Sequence, residues 1–180
     1  MTQNNNPWVS FVTNFLLSIS PDSTEQIYYG PYNTILGQAF PPASRYIIAP
    51  QSYFNGQQAV NFLEYVVMVD SKVVMIVDIK RENILQYEHA RVEADLRVCD
   101  KFHSIHESII LSEIIYISIF GRFCRVYRYI PITKQITSDS GEGLHPDRWN
   151  IDLYTEQGRD QLGDIFGQMR IRVEQELGPV

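Results

Sequence analysis

Three residues in one short stretch have the types and spacing to do chemistry together: Glu64, Asp78 and Lys80. Asp78 and Lys80 are two apart. On a β-strand such side chains share a face, so a carboxylate and an ammonium point the same way. Charge is costly inside a sheet unless it is paired or bound to a metal. Two carboxylates about 4 Å apart repel by roughly 4 kcal/mol at an effective dielectric of about 20. A fold tolerates that when one is protonated or a cation sits between them. Hard oxygen ligands favour Mg²⁺ or Mn²⁺. Such an ion polarises a phosphodiester and lowers the pKa of a bound water. Lys80 would position that water or stabilise developing charge. The plainer reading is an Asp78–Lys80 ion pair where a strand leaves the core.

These residues sit on a hairpin. Residues 64–80 read EYVVMVDSKVVMIVDIK, two β-branched runs around Asp70-Ser71-Lys72. Val73 to Lys80 is apolar on both faces until its end, the pattern of a strand covered on both sides. Register decides whether the carboxylates meet. A three-residue loop opposes Glu64 to Asp78. A two-residue loop opposes Leu63 to Asp78 and sends Glu64 to the other face, unless a bulge intervenes.

A carboxylate, a hairpin's length of chain, then Asp-x-Lys ending an apolar strand resembles the PD-(D/E)XK, or restriction-endonuclease-like, nuclease superfamily. Leu63-Glu64 stands where that family has Pro-Asp, and Asp78-Ile-Lys80 matches the (D/E)-x-K. Residues 114–129, IIYISIFGRFCRVYRY, resemble a strand pair of uncharacterised fungal proteins assigned to the same superfamily. The likeness covers roughly residues 60–130. It implies a metal-dependent nuclease acting on DNA or RNA, with Glu64 and Asp78 as ligands of Mg²⁺ or Mn²⁺ and Lys80 assisting in-line hydrolysis. Many exonucleases of this fold carry a Gln in the following helix; here Glu93 or Asp95 stands in that helix instead. Two alternatives stay open: an inactive relative that binds protein or nucleic acid, and a toxin-like ribonuclease.

Composition fits one soluble domain of 180 residues with a substantial core. No apolar run is long enough to span a bilayer. The stretch from Trp8 to Ile19 lacks a basic start and a small-x-small cleavage site, so an intracellular, signal-free protein is expected. Cys99 and Cys124 read as free thiols of a reducing compartment. Net charge is −6, but Lys72 to Lys134 holds ten Lys and Arg against eight acids, a net of +2. The candidates for nucleic-acid contact lie there: Arg81, Arg91, Arg122 and Arg125. An acidic C-terminal helix facing a second copy would give a homodimer.

The expected elements run in order. Residues 1–6 read as disordered. Pro7 opens a helix with Trp8, Phe11, Val12, Phe15 and Leu16 on its core stripe. Residues 21–44 read as a long loop with a short helix at Thr24 to Tyr28. Tyr28, Tyr29 and Tyr32 could stack on bases, against the commoner reading of packed aromatics. Arg45 to Ala49 forms a first strand ended by Pro50, and Gly56 to Asn61 turns into the hairpin. A helix from Glu82 to Ile105 buries Val92, Leu96, Cys99 and Phe102, with Arg97 and Lys101 on other faces; His103 and His106 lack a third metal ligand. Strands Ile114–Phe120 and Phe123–Tyr129 flank a Gly121-Arg122 turn, with Arg125 and Arg128 on opposite faces and at least one exposed. Pro131 to Leu144 reads as a loop and Trp149 to Leu153 as a short extended piece. Thr155 caps a last helix with Leu162, Phe166, Met169, Val173 and Leu177 inward, stopped by Gly178. The expected fold is a single α/β domain, residues 1–180: a mixed central sheet flanked by helices on both faces.

Overall fold

The structure is a computed structural model and describes residues 8, 10–52, 63–143 and 145–179. The expectations for residues 1–6, Pro7 and Gly56 to Asn61 lie outside them. The helices are α1 (Ser10–Ser18), α2 (Tyr29–Ala39), α3 (Glu88–Ile105) and α4 (Glu156–Leu177). The strands are β1 (Tyr46–Ser52), β2 (Leu63–Val69), β3 (Lys72–Lys80), β4 (Ile114–Phe120), β5 (Phe123–Ile130), β6 (Gln135–Ser138) and β7 (Ile151–Asp152). They form one open, mixed sheet in the order β1-β2-β3-β4-β5-β6, with β7 also on β5. Only β3 and β4 run parallel among these pairs, joined by the α3 crossover. β3 is central, and Val74 through Lys80 are buried.

The β2–β3 turn is the two-residue kind. Asp70 (φ 47°) and Ser71 (φ 66°) both adopt the left-handed conformation that a tight hairpin turn requires. Such a loop would send Glu64 to the wrong face. A bulge corrects this: Val67 pairs with Met75 and Met68 with Val73, so Val74 has no opposite number. From there the register places Glu64 opposite Asp78.

One face of the sheet is apolar. Val67, Val77, Ile117, Ile119 and Val126 pack there with Leu16, Ile35, Leu36, Leu162, Phe166 and Met169 of α1, α2 and α4. α3 covers the other face, where Val98 and Phe102 meet Ile76, Tyr116, Tyr127 and Tyr129. Helices thus lie on both faces, as expected.

Several details differ from the sequence reading. Residues 21–44 are not a long loop, because α2 follows a 3₁₀ turn at Glu25–Tyr28. Pro31 falls in the first turn of α2, where its missing N–H costs nothing. Tyr28, Tyr32, Ile35, Leu36 and Ala39 are buried. β1 continues through Pro50 to Ser52, which an outer strand permits. The helix expected from Glu82 splits into a 3₁₀ turn, Glu82–Ile84, and α3. α3 buries Ala90, Arg91, Ala94, Val98 and Phe102, whereas Leu96 is 59% exposed. In α1 only Val12 and Leu16 are buried, and Phe11 and Phe15 are exposed. β6 lies within the expected 131–144 loop. α4 has its Thr155 cap, with Oγ1 accepting from the Gly158 N–H at 3.0 Å, and ends at Gly178. Cys99 and Cys124 are free thiols. No helix among the described residues is long and apolar enough to cross a membrane.

Ser71 carries a Cβ in a left-handed conformation that disfavours one by about 1 kcal/mol. Ser71→Gly should therefore stabilise the fold by roughly 0.5–1 kcal/mol without moving the register. Urea midpoints of the two proteins check this; a lower midpoint for the variant would contradict the turn.

Candidate active site

The bulge-corrected register builds a polar row across the face under α3. Glu64 on β2 opposes Asp78 on β3, Asp78 opposes Ser118 on β4, and Ser118 opposes Arg125 on β5. All four are buried: Glu64 is 2% exposed, Asp78 0% and Arg125 3%. Lys80, one pleat along β3, is 3% exposed and ion-paired with Asp78 Oδ2. The three residues singled out from the sequence therefore lie together on one face.

The carboxylates are not left bare. Tyr116 donates its OH to Asp78 Oδ2 at 3.1 Å. Arg97 Nε of α3 stands 3.8 Å from the same oxygen and Nη2 donates to Glu93 at 3.1 Å. Lys101 of α3 donates to Glu64 Oε1 at 2.5 Å. Among the described residues, Asp78's partners gather on Oδ2, and Oδ1 is buried without a hydrogen-bond partner. At the other end of the row Arg125 pairs with Asp95 at 3.3 Å, which also accepts from the Tyr127 hydroxyl. Its remaining donors reach Ser138 Oγ and the carbonyls of Gly141 and Gly143. Trp149 Nε1 donates to Ser118 Oγ at 3.3 Å.

Helix and sheet are thus charge-matched. Acids on β2 and β3 lie under Lys101 and Arg97, and a base on β5 lies against Asp95. This explains why α3 has no simple apolar stripe. Arg97 and Lys101, expected on other faces, lean over the sheet. Sequence reasoning passed over both, although their four-residue spacing puts them on one side of a helix. Tyr116 and Ser118 were also legible as a same-face polar pair in an otherwise isoleucine-rich strand.

The four arginines proposed for nucleic-acid contact are dispersed. Arg91 is buried and donates to the Leu85 carbonyl at 2.7 Å. Arg125 is buried as described. Arg81 pairs with Glu25 at 3.1 Å. Arg122 lies 3.4 Å from Asp152 and stacks over Phe123 and Tyr154. Neither Arg125 nor Arg128 is exposed, contrary to expectation: Arg128 is half-buried between Glu113 and Asp139. Tyr28 and Tyr32 are core residues, and of that trio Tyr29 is exposed. His103 bonds the Cys99 carbonyl and His106 the Tyr129 hydroxyl, so the two histidines do not converge.

Burial and charge perturb the site's titrations. Burial raises the Glu64 pKa and Asp78 adds to it, while Lys101 and Arg97 oppose the rise. Burial lowers the Lys80 pKa against the pull of Asp78. The Tyr116 hydroxyl is raised by burial first and by Asp78 and Glu64 next. No protein-family model and no curated protein matches the chain.

A carboxyl whose folded-state pKa is raised contributes its full stability below the ordinary value of 4.5 and loses it as pH climbs through the raised value. Glu64→Gln removes this titration. The stability advantage of wild type over Glu64→Gln should therefore shrink between about pH 4 and about pH 7. Urea unfolding at both values reads it; a growing advantage would mean that Lys101 outweighs burial.

Proposed function

We propose that this chain is a metal-dependent nuclease built on a restriction-endonuclease-like fold. The observation that carries the reading is the juxtaposition at the end of β3. Glu64 opposes Asp78 on one buried face, Lys80 is beside them, and Asp78 Oδ1 has no hydrogen-bond partner among the described residues. An antiparallel β1-β2-β3 meander, a crossover helix and a parallel β4 are in keeping with that fold.

The donor set suits Mg²⁺ or Mn²⁺. Both candidates are carboxylates, and an orphaned buried oxygen invites a cation. Among the described residues no third Asp, Glu, His or Cys joins them. That fits ions commonly held by one or two carboxylates, with water and substrate phosphate completing the shell. When bound, the ion would supply Lewis-acid polarisation of the phosphodiester and a more acidic water. Glu64 and Asp78 would hold it. Lys80, kept on that face by Asp78, would carry positive charge toward the reacting phosphoryl group. Arg97 and Lys101 form the partly exposed roof and would meet the phosphate backbone first. Whether the backbone is DNA or RNA is decided by the substrate comparison below.

A second reading has an observation of its own. Lys101 and Arg97 already neutralise the carboxylates, which suits a relative that has kept the fold for binding. Fold alone does not confer activity.

Cleavage of plasmid, single-stranded DNA and total RNA, with Mg²⁺, Mn²⁺ or EDTA, separates these readings. Metal-dependent cleavage should fall by roughly 10²–10³ in Asp78→Ala and Lys80→Ala. A strong preference for structured RNA would indicate the toxin-like ribonuclease. No cleavage by folded wild type, or cleavage indifferent to both substitutions, would move the function to binding.

A further inference from the structure

The cation site proposed above is crowded. Two carboxylates, Glu64 and Asp78, face three side-chain cations, Lys80, Arg97 and Lys101. Counting Glu93, which pairs with Arg97, the cluster is already neutral, and a divalent ion would add positive charge beside three cations at short range, where like charges repel. One of them must give way.

Their settings differ. Lys80 belongs to the central strand and is only 3% exposed, so its ammonium has little room to move away from Asp78. Arg97 contacts Asp78 at 3.8 Å and is held elsewhere by Glu93. Among the described residues Lys101 bonds Glu64 Oε1 directly, at 2.5 Å, from a side chain 16% exposed, close to the 18% of Arg97. Its flexible four-carbon stem can carry the ammonium outward while staying on the protein surface.

We infer that Lys101 is the resident counter-cation of Glu64, a tethered ammonium that must leave before a divalent ion binds across Glu64 and Asp78. The inference rests on reading those two carboxylates as a cation site, and it adds regulation: α3 gates metal loading. In the closed state Lys101 offsets the buried charge of Glu64, so the fold stands without metal. In the loaded state Lys101 turns outward, toward the side from which substrate phosphate would approach.

The test measures Mn²⁺ binding to the full chain by calorimetry, with melting temperatures in EDTA and in excess Mn²⁺. Wild type is compared with Lys101→Met, Lys101→Gln and Lys101→Arg. Gln keeps a polar group beside Glu64 should Met disturb the fold. Both neutral variants should bind Mn²⁺ roughly tenfold or more tighter than wild type, since one repelling charge is gone. They should also gain more melting temperature from Mn²⁺, because ligands that bind only the folded state stabilise it by mass action. Lys101→Arg should stay near wild type. Equal affinity in wild type and both neutral variants overturns the gate and leaves the metal site standing. Binding by the neutral variants alone upholds the gate and argues against an active metal enzyme in the wild-type chain. No binding by any of the four overturns both readings.

Discussion

An ionised carboxylate at the centre of a sheet must be neutralised, and Asp78 sits there with no solvent exposure. Leaving such a charge uncompensated costs several kcal/mol even after relaxation. Much of this side of the protein can be understood as the answer. The parallel β4 brings the Tyr116 hydroxyl to Asp78 and sets Ser118 opposite it. Lys80 returns on the same face of the same strand. α3 supplies Arg97. The answer is incomplete, since among the described residues Oδ1 lacks a hydrogen-bond partner. Glu64 is delivered to the same place by the bulge at Val74, although it adds repulsion. A fold seeking only stability would do as well with apolar residues there. That is the physical reason to look for function at this end of the sheet.

The two faces divide the labour. Beneath the sheet, α1, α2 and α4 bury an almost wholly apolar layer. Small polar ties lock its margins. Tyr154 donates to the Leu16 carbonyl at 2.7 Å, and Tyr32 to the Gly121 carbonyl at 2.7 Å. Gly121 (φ +60°) could not be larger, because a Cβ there would sit 2.4 Å from that of Glu82. The face under α3 has apolar clusters of its own, around Phe102 and around Trp149, with the charged row between them. Burial of apolar area dominates folding energy, so the lower layer leaves the upper one free to carry costly groups.

What the sequence disclosed follows from which signals are local. β3, its Asp-x-Lys end and the strand pair around Gly121 were legible because continuous apolar runs of β-branched residues admit few other readings. The register was not, because the two-residue turn and the bulge have opposite effects on Glu64 and neither is marked by a glycine. α2 was hidden by Gly30, Pro31, Asn33 and Gly37, although its buried positions repeat with helical spacing. The α3 stripe misled because the helix packs against a polar row. Leu96 looked like core and is solvent-facing, while Arg97 and Lys101 looked like surface and lie over the site. A four-residue β6 with one strongly apolar side chain has too little pattern to declare itself.

The order of charges along the row also constrains how the site can change. α3 is held by pairs of opposite sense at its two sides: Lys101 of the helix on Glu64 of β2, and Asp95 of the helix with Arg125 of β5. The second attachment belongs to a wider hydrogen-bond network. Arg125 is enclosed, its donors are shared among Asp95, Ser138 and two backbone carbonyls, and Tyr127 bonds the same Asp95. Phe102 stacks on Tyr129 at 4.7 Å and adds an aromatic anchor nearby. Removing Lys101 from Glu64 therefore does not free the helix. On the proposed gate, Lys101 would turn away from Glu64 while the Asp95–Arg125 pair and the aromatic layer keep α3 on the sheet.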